Sequence, residues 1–194
     1  MKGVFMQTSD RVFPEWDVSR WFNTDHALRL ADLRGQVVLV EAFQMLCPGC
    51  VSFALPMARK VHQLFGAQGV AVIGLHTVFE HHSAMQPHAL EVFLHEYQIR
   101  FPVGVDAPLE GSSTPTTMAR WQLQGTPSTL LIDKAGRLRA HHFGSIDELQ
   151  LGVVLGQLLS EGAPSGDAAP LPDEASSSVC DEQTCAVPGA GKPS

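Results

Sequence analysis

Two thiols separated by two residues, Cys47-Pro48-Gly49-Cys50, stand where the apolar run Val37 to Phe43 gives way to a segment of helical character. Such a pair is suited to redox chemistry. The first sulfur sits at the positive end of the helix dipole, which favours the thiolate and makes a nucleophile at neutral pH. Half of a zinc site is the alternative, but structural zinc takes four closed ligands and the other cysteines, Cys180 and Cys185, lie far downstream. Glu41 lies inside the apolar run, six residues before Cys47. Strand alternation puts residues 41, 43 and 45 on one face, where a buried acid with a raised pKa could exchange protons with the inner thiol, Cys50. A Glu paired with a nearby Lys or Arg, or exposed in a less regular strand, is the structural alternative. Pro127, in Gly125-Thr126-Pro127-Ser128, precedes another strand and could form a cis bond in a tight turn. A proline edge of this kind leaves backbone groups free to pair with an extended peptide and hold its disulfide against Cys47. Pro48 removes one N–H within the motif and helps to set the conformation and redox poise of the dithiol.

These residues need a scaffold, and the pattern around them supplies one. Residues 16–22 read as an edge strand with a turn at 23–25. The strand 37–43 leads into a helix over about 48–65 and returns through the strand 70–75, an order that implies a right-handed parallel crossover. A helix follows over 87–98, with Leu90, Phe93, Leu94 and Tyr97 at helical spacing. Then come a short strand at 101–105, a short helix at 116–123, and a hairpin of strands 128–133 and 137–143 turning at Lys134-Ala135-Gly136. A last helix over about 146–159 counts Leu149, Val153, Leu155 and Leu158 among its apolar positions. The organisation is an N-terminal arm, 1–15, one domain over 16–161, and a tail, 162–194. The tail is rich in Gly, Ala, Pro and Ser and too poor in apolar surface to offset the entropy of ordering.

The chain has 194 residues, 44% of them hydrophobic, enough for one full core. A net charge of −7 with scattered basic residues gives no reason to bind nucleic acid or an anionic membrane. No segment reaches transmembrane length, and C-x-x-C beside an α/β pattern fits a cytoplasmic catalyst better than a secreted disulfide framework.

Jointly, the strand 37–43 running into Cys47-Pro48-Gly49-Cys50, the segment Phe101-Pro102-Val103-Gly104-Val105-Asp106, and Gly125-Thr126-Pro127-Ser128-Thr129-Leu130-Leu131-Ile132-Asp133 before the Gly136 turn resemble the thioredoxin superfamily. The likeness is greatest to thiol-disulfide oxidoreductases of the TlpA and ResA type and spans about residues 16–160. The resemblance implies an α/β thioredoxin-like fold, a central mixed β-sheet flanked by helices. It also implies Cys47 as attacking thiolate, Cys50 as resolving thiol and a cis Thr126-Pro127 bond facing them, with Glu41 where thioredoxins carry a buried acid. No cofactor or metal is implied. The implied partners are a protein or small-molecule disulfide substrate, contacted by Leu46, Pro48 and Thr126, and an electron-donating reductase; His76, which leaves the C-terminal end of the strand 70–75 where ligands of parallel α/β sheets collect, is expected near Cys47 as a further substrate contact. Two departures stand out: Leu46 replaces the usual Trp before the first cysteine, and the helix-kinking proline falls one residue late, at Pro56.

A thiol peroxidase with Cys47 as peroxidatic cysteine is the runner-up, since the segment before Cys47 also looks like that of peroxiredoxins. Gln44 stands where those enzymes place a peroxide-orienting Thr, however, and no helper Arg lies near Thr126-Pro127. The histidines at 76, 81, 82, 141 and 142 could bind metal, modulate the thiolate or line a groove, though no spacing among them is diagnostic. A non-catalytic scaffold that binds a metal or partner through that face is the alternative from a different class. Cys180 and Cys185 form a candidate secondary dithiol within tether reach of Cys47, with Asp181 and Glu182 raising their thiol pKa and slowing attack.

Overall fold

A computed structural model of the protein describes residues 11–162. Six strands form one mixed sheet in the order β1-β4-β3-β2-β5-β6. They are β1 (Val18–Phe22), β2 (Val37–Phe43), β3 (Val70–His76), β4 (Val103–Asp106), β5 (Ser128–Ile132) and β6 (Leu138–Phe143). The helices are α1 (Leu55–Phe65), α2 (Pro87–Glu96), α3 (Thr116–Arg120) and α4 (Glu148–Ser160). β2 pairs in parallel with β3, and β3 with β4, while β1, β5 and β6 run antiparallel to their neighbours. β2 is central and all seven of its residues are buried, which is why it reads as a continuous apolar run without alternation.

The two sheet faces carry separate cores. Val37, Leu39 and Phe43 of β2 pack with Cys50, Leu55, Ala58, Leu90, Leu94 and Leu155, so α1, α2 and α4 contribute to one side. Val38, Val40 and Ala42 pack with Trp16, Leu30, Met118 and Trp121 on the other. In α4 the buried stripe is Leu151, Val154, Leu155 and Leu158, whereas Leu149 and Val153 are exposed. The helix is apolar nearly all round, so periodicity allowed more than one face.

The N-terminal segment reaches further into the domain than an arm ending at residue 15. Val12 bridges Arg137, Phe13 packs on Trp121, and Glu15 accepts the Leu30 backbone N–H at 2.5 Å. The tail from 163 onward lies outside the described residues.

The helix expected over 48–65 is not uniform. Cys50–Ala54 form a wide π turn, closed by the Leu55 N–H on the Cys50 carbonyl, before α1 proper begins with Pro56 in its first turn. Pro56 has no N–H to give the Ser52 carbonyl, and its ring would collide with that carbonyl in a regular α-helix. The wide turn takes up one extra residue, which accommodates a proline one position late.

Candidate active site

The dithiol lies where β2 ends. The Cys47 N–H bonds the Gln44 carbonyl at 3.2 Å and the Val51 N–H bonds the Cys47 carbonyl at 3.1 Å, so the motif turns directly into the helical segment. Cys47 and Cys50 are joined as a disulfide with a Cα–Cα separation of 5.2 Å. Cys50 is fully buried and Cys47 half-buried, so only the first sulfur is open to a partner. The Cys50 N–H points at Cys47 Sγ at 3.2 Å, the local form of the helix-end stabilisation that a thiolate needs.

The Thr126-Pro127 bond is cis. Cys47 Sγ lies 3.6 Å from the Thr126 carbonyl oxygen, and the Pro127 ring stands over Gly49, where an added Cβ would meet Pro127 Cδ at 3.4 Å. Ser128 Oγ donates to the Gly125 carbonyl at 2.8 Å and fixes the turn from inside. Leu46 and Pro48 are exposed beside Cys47.

Glu41 is 0% exposed. It shares a face of β2 with Val37, Leu39 and Phe43, the side on which Cys50 is packed. Burial pushes its carboxyl up from 4.5 to about 8, opposed in part by a hydrogen bond from Thr129 Oγ1 to Oε2 at 2.8 Å. Oε1 is buried with no partner. A carboxyl in this setting ionises near the range in which thiols do, so it can take a proton from one.

His76 is the register partner of Phe43 at the end of β3. It is 1% exposed, lies against the Phe43 ring at 5.3 Å and opens onto a separate cavity of about 280 Å³ with Val78, His82, Val105 and Asp106, lined by none of the dithiol residues. Desolvation lowers its pKa to about 4, so it is neutral at pH 7. Among the described residues no three His, Cys, Asp or Glu converge on a position for a metal ion. Cys180 and Cys185 lie outside the described residues.

Sequence reasoning missed three supporting side chains. Thr129 holds Glu41; only the β2–β5 register, which sets Glu41 opposite Thr129, identifies it. Gln44 is buried, accepts the Phe79 N–H at 3.3 Å and reaches Glu80 at 3.4 Å, tying the loop after β3 to the dithiol loop. Asp106 accepts from Thr117 N, Met118 N and Thr77 Oγ1 at 2.7, 2.9 and 3.0 Å, joining β4 to α3. Its place at the end of the segment 101–106 was the signal for it.

Residues 10–141 match the AhpC/TSA family. Among solved structures, the chain is 59% identical to the thioredoxin-like superfamily protein SPOA0173, with a TM-score of 0.77 over 79% of this chain and 99% of that one. It is 51% identical to a thiol-disulfide isomerase from Corynebacterium glutamicum, with a TM-score of 0.75 over 78% of this chain and 97% of that one. No curated protein matches it. With a mixed sheet, a C-x-x-C disulfide at the end of its central strand and these relatives, the chain belongs to the AhpC/TSA family and is an oxidoreductase of thioredoxin-like fold.

Proposed function

We propose that the protein reduces or exchanges disulfides through a mixed disulfide on Cys47. The observation that carries this reading is the asymmetry of the pair: a half-buried Cys47 beside the Thr126 carbonyl, joined to a Cys50 with no exposure. The Cys47 thiolate attacks one sulfur of a substrate disulfide, and the other sulfur leaves as a thiolate. Cys50 then gives its proton to Glu41 and attacks Cys47 Sγ, releasing the second substrate sulfur as a thiolate and closing the Cys47–Cys50 disulfide. Two electrons from an external dithiol reductase return the enzyme to its starting state. Leu46, Pro48, Thr126 and Pro127 form the edge against which an extended substrate lies.

A thiol peroxidase is less well supported. The Gln44 amide is occupied by Phe79 and Glu80, and the sequence has no arginine between residues 121 and 136. A transition state at peroxide oxygens would lack those donors.

The test is trapping. Cys50→Ser should accumulate a mixed disulfide with a substrate protein or an insulin-type disulfide, seen as a mass adduct on Cys47, and Cys47→Ser should lose exchange altogether. Normal turnover by Cys47→Ser would refute the mechanism.

A further inference from the structure

We propose that Thr129 is a positioning residue that releases the resolving-step proton into the groove beside α1, away from the substrate. The proposal rests on the reading of Glu41 as the acceptor of the Cys50 proton and adds where a proton leaves the site.

At the moment of resolution the sulfur side of the site is closed. Cys50 is buried, and Cys47, already half-buried, carries the substrate. Glu41 is itself fully buried, its Oε1 has no partner, and its other oxygen is held by Thr129. Thr129 has a second neighbour: it lines an open groove of about 360 Å³ between the wide turn with α1 and the residues entering α4, bounded by Ser52, Phe53, Met57, Lys60, Ser145 and Leu149. Thr129 therefore holds the buried carboxyl through its hydroxyl and itself lines a solvent-accessible cleft.

The step balances without a further reactant. Glu41 starts as the carboxylic acid with its proton on Oε2; in the step in which Cys50 attacks, Oε1 takes the Cys50 proton as Oε2 gives its own to Thr129 Oγ1 and the Thr129 hydroxyl hydrogen passes to solvent in the groove. Glu41 is left as carboxylic acid, Thr129 as hydroxyl, and one proton has gone to solvent. The ionisable groups around this route are Lys60 and Glu148, paired at 2.8 Å, Asp147, which caps α4, and His142, which stands opposite Thr129 with its Nε2 2.9 Å from the Ser145 carbonyl. On the β3 side of Glu41 the register partner is Gly74, which carries no side chain.

The experiment is stopped-flow oxidation of the reduced full chain by Ellman's reagent, with Cys180 and Cys185 replaced by serine throughout so that only the dithiol reacts. The first thionitrobenzoate release reports Cys47 attack and the second reports resolution by Cys50. Thr129→Val should slow the second phase about tenfold, at the low end of general acid–base effects, and move its pH midpoint upward, because Glu41 loses the hydrogen bond that opposes its raised pKa. Thr129→Ser should stay within about twofold of wild type. A wild-type second phase in Thr129→Val, with Glu41→Gln slow, would overturn the route while leaving Glu41 as acceptor. A wild-type second phase in Glu41→Gln would overturn the premise instead. Should Thr129→Val not fold, the native threonine decides: a second phase insensitive to deuterium oxide, or one depending linearly on its fraction, overturns a relay that moves several protons together.

Discussion

Replacing Glu41 by glutamine should change how stability depends on pH more than stability at any one pH. In the folded protein burial raises the carboxyl from 4.5 to about 8. Below pH 4.5 folded and unfolded chains are both protonated and the group contributes no penalty. Between 4.5 and 8 the unfolded chain ionises first, so the native state is progressively disfavoured; above 8 both ionise and the penalty stays constant. At pH 7 the separation from 4.5 is about 2.5 units, which at 1.36 kcal/mol per unit is about 3 kcal/mol. At pH 9 the full separation of about 3.5 units gives about 5 kcal/mol. Glutamine keeps an oxygen for the Thr129 hydroxyl and has no charge to bury, so any packing cost it adds is independent of pH. Urea unfolding of both oxidised proteins at pH 5, 7 and 9 measures the effect, with the Cys47–Cys50 disulfide removing thiol titration from the site. The difference between them should move by about 4 kcal/mol in favour of the variant from pH 5 to 9. Parallel curves would show that Glu41 ionises as an ordinary surface carboxyl and would remove the basis for its role with Cys50.

Two further expectations concern the scaffold. Burial holds His76 neutral with a pKa of about 4 against 6.5 when unfolded, so its share of stability is lost as pH falls from 6.5 to 4; His76→Phe should remove up to about 3 kcal/mol of that acid sensitivity, read by urea unfolding at pH 7 and 4.5, and an unchanged difference would refute the burial argument. Gly74→Ala would place a Cβ 2.9 Å from Val103 and 3.2 Å from both Phe101 and Phe43, so it should cost about 1–3 kcal/mol in denaturant unfolding, and a neutral result would mean that this strand crossing can open at no cost.

What sequence disclosed here followed from how local each signal was. The strand from Val37 to Phe43, the dithiol after it and the proline turn at 125–128 each lie within a few residues, and composition and turn chemistry identify them. Glu41 was legible because a carboxylate in an otherwise apolar strand needs a reason. Thr129 was not, because its meaning comes from strand pairing across 88 residues. His76, expected near the sulfurs from its position at a strand end, lies against the ring of Phe43, its register partner on β2. Which apolar residues of Glu148–Ser160 are buried is not local either: the helix offers them on several faces, and packing against the sheet buries Leu155 and Leu158 while Leu149 and Val153 stay exposed.

The wide turn at Cys50–Ala54 has an evolutionary consequence. A single inserted or deleted residue there rotates everything between the dithiol and Pro56 by about 100° while α1 beyond the proline keeps its phase against the sheet. Phe53, now 62% exposed on the rim of the groove, would be exchanged for a neighbour without any residue being substituted. Length variation in this short stretch can therefore recast the surface beside a reactive cysteine while the core that holds it remains intact.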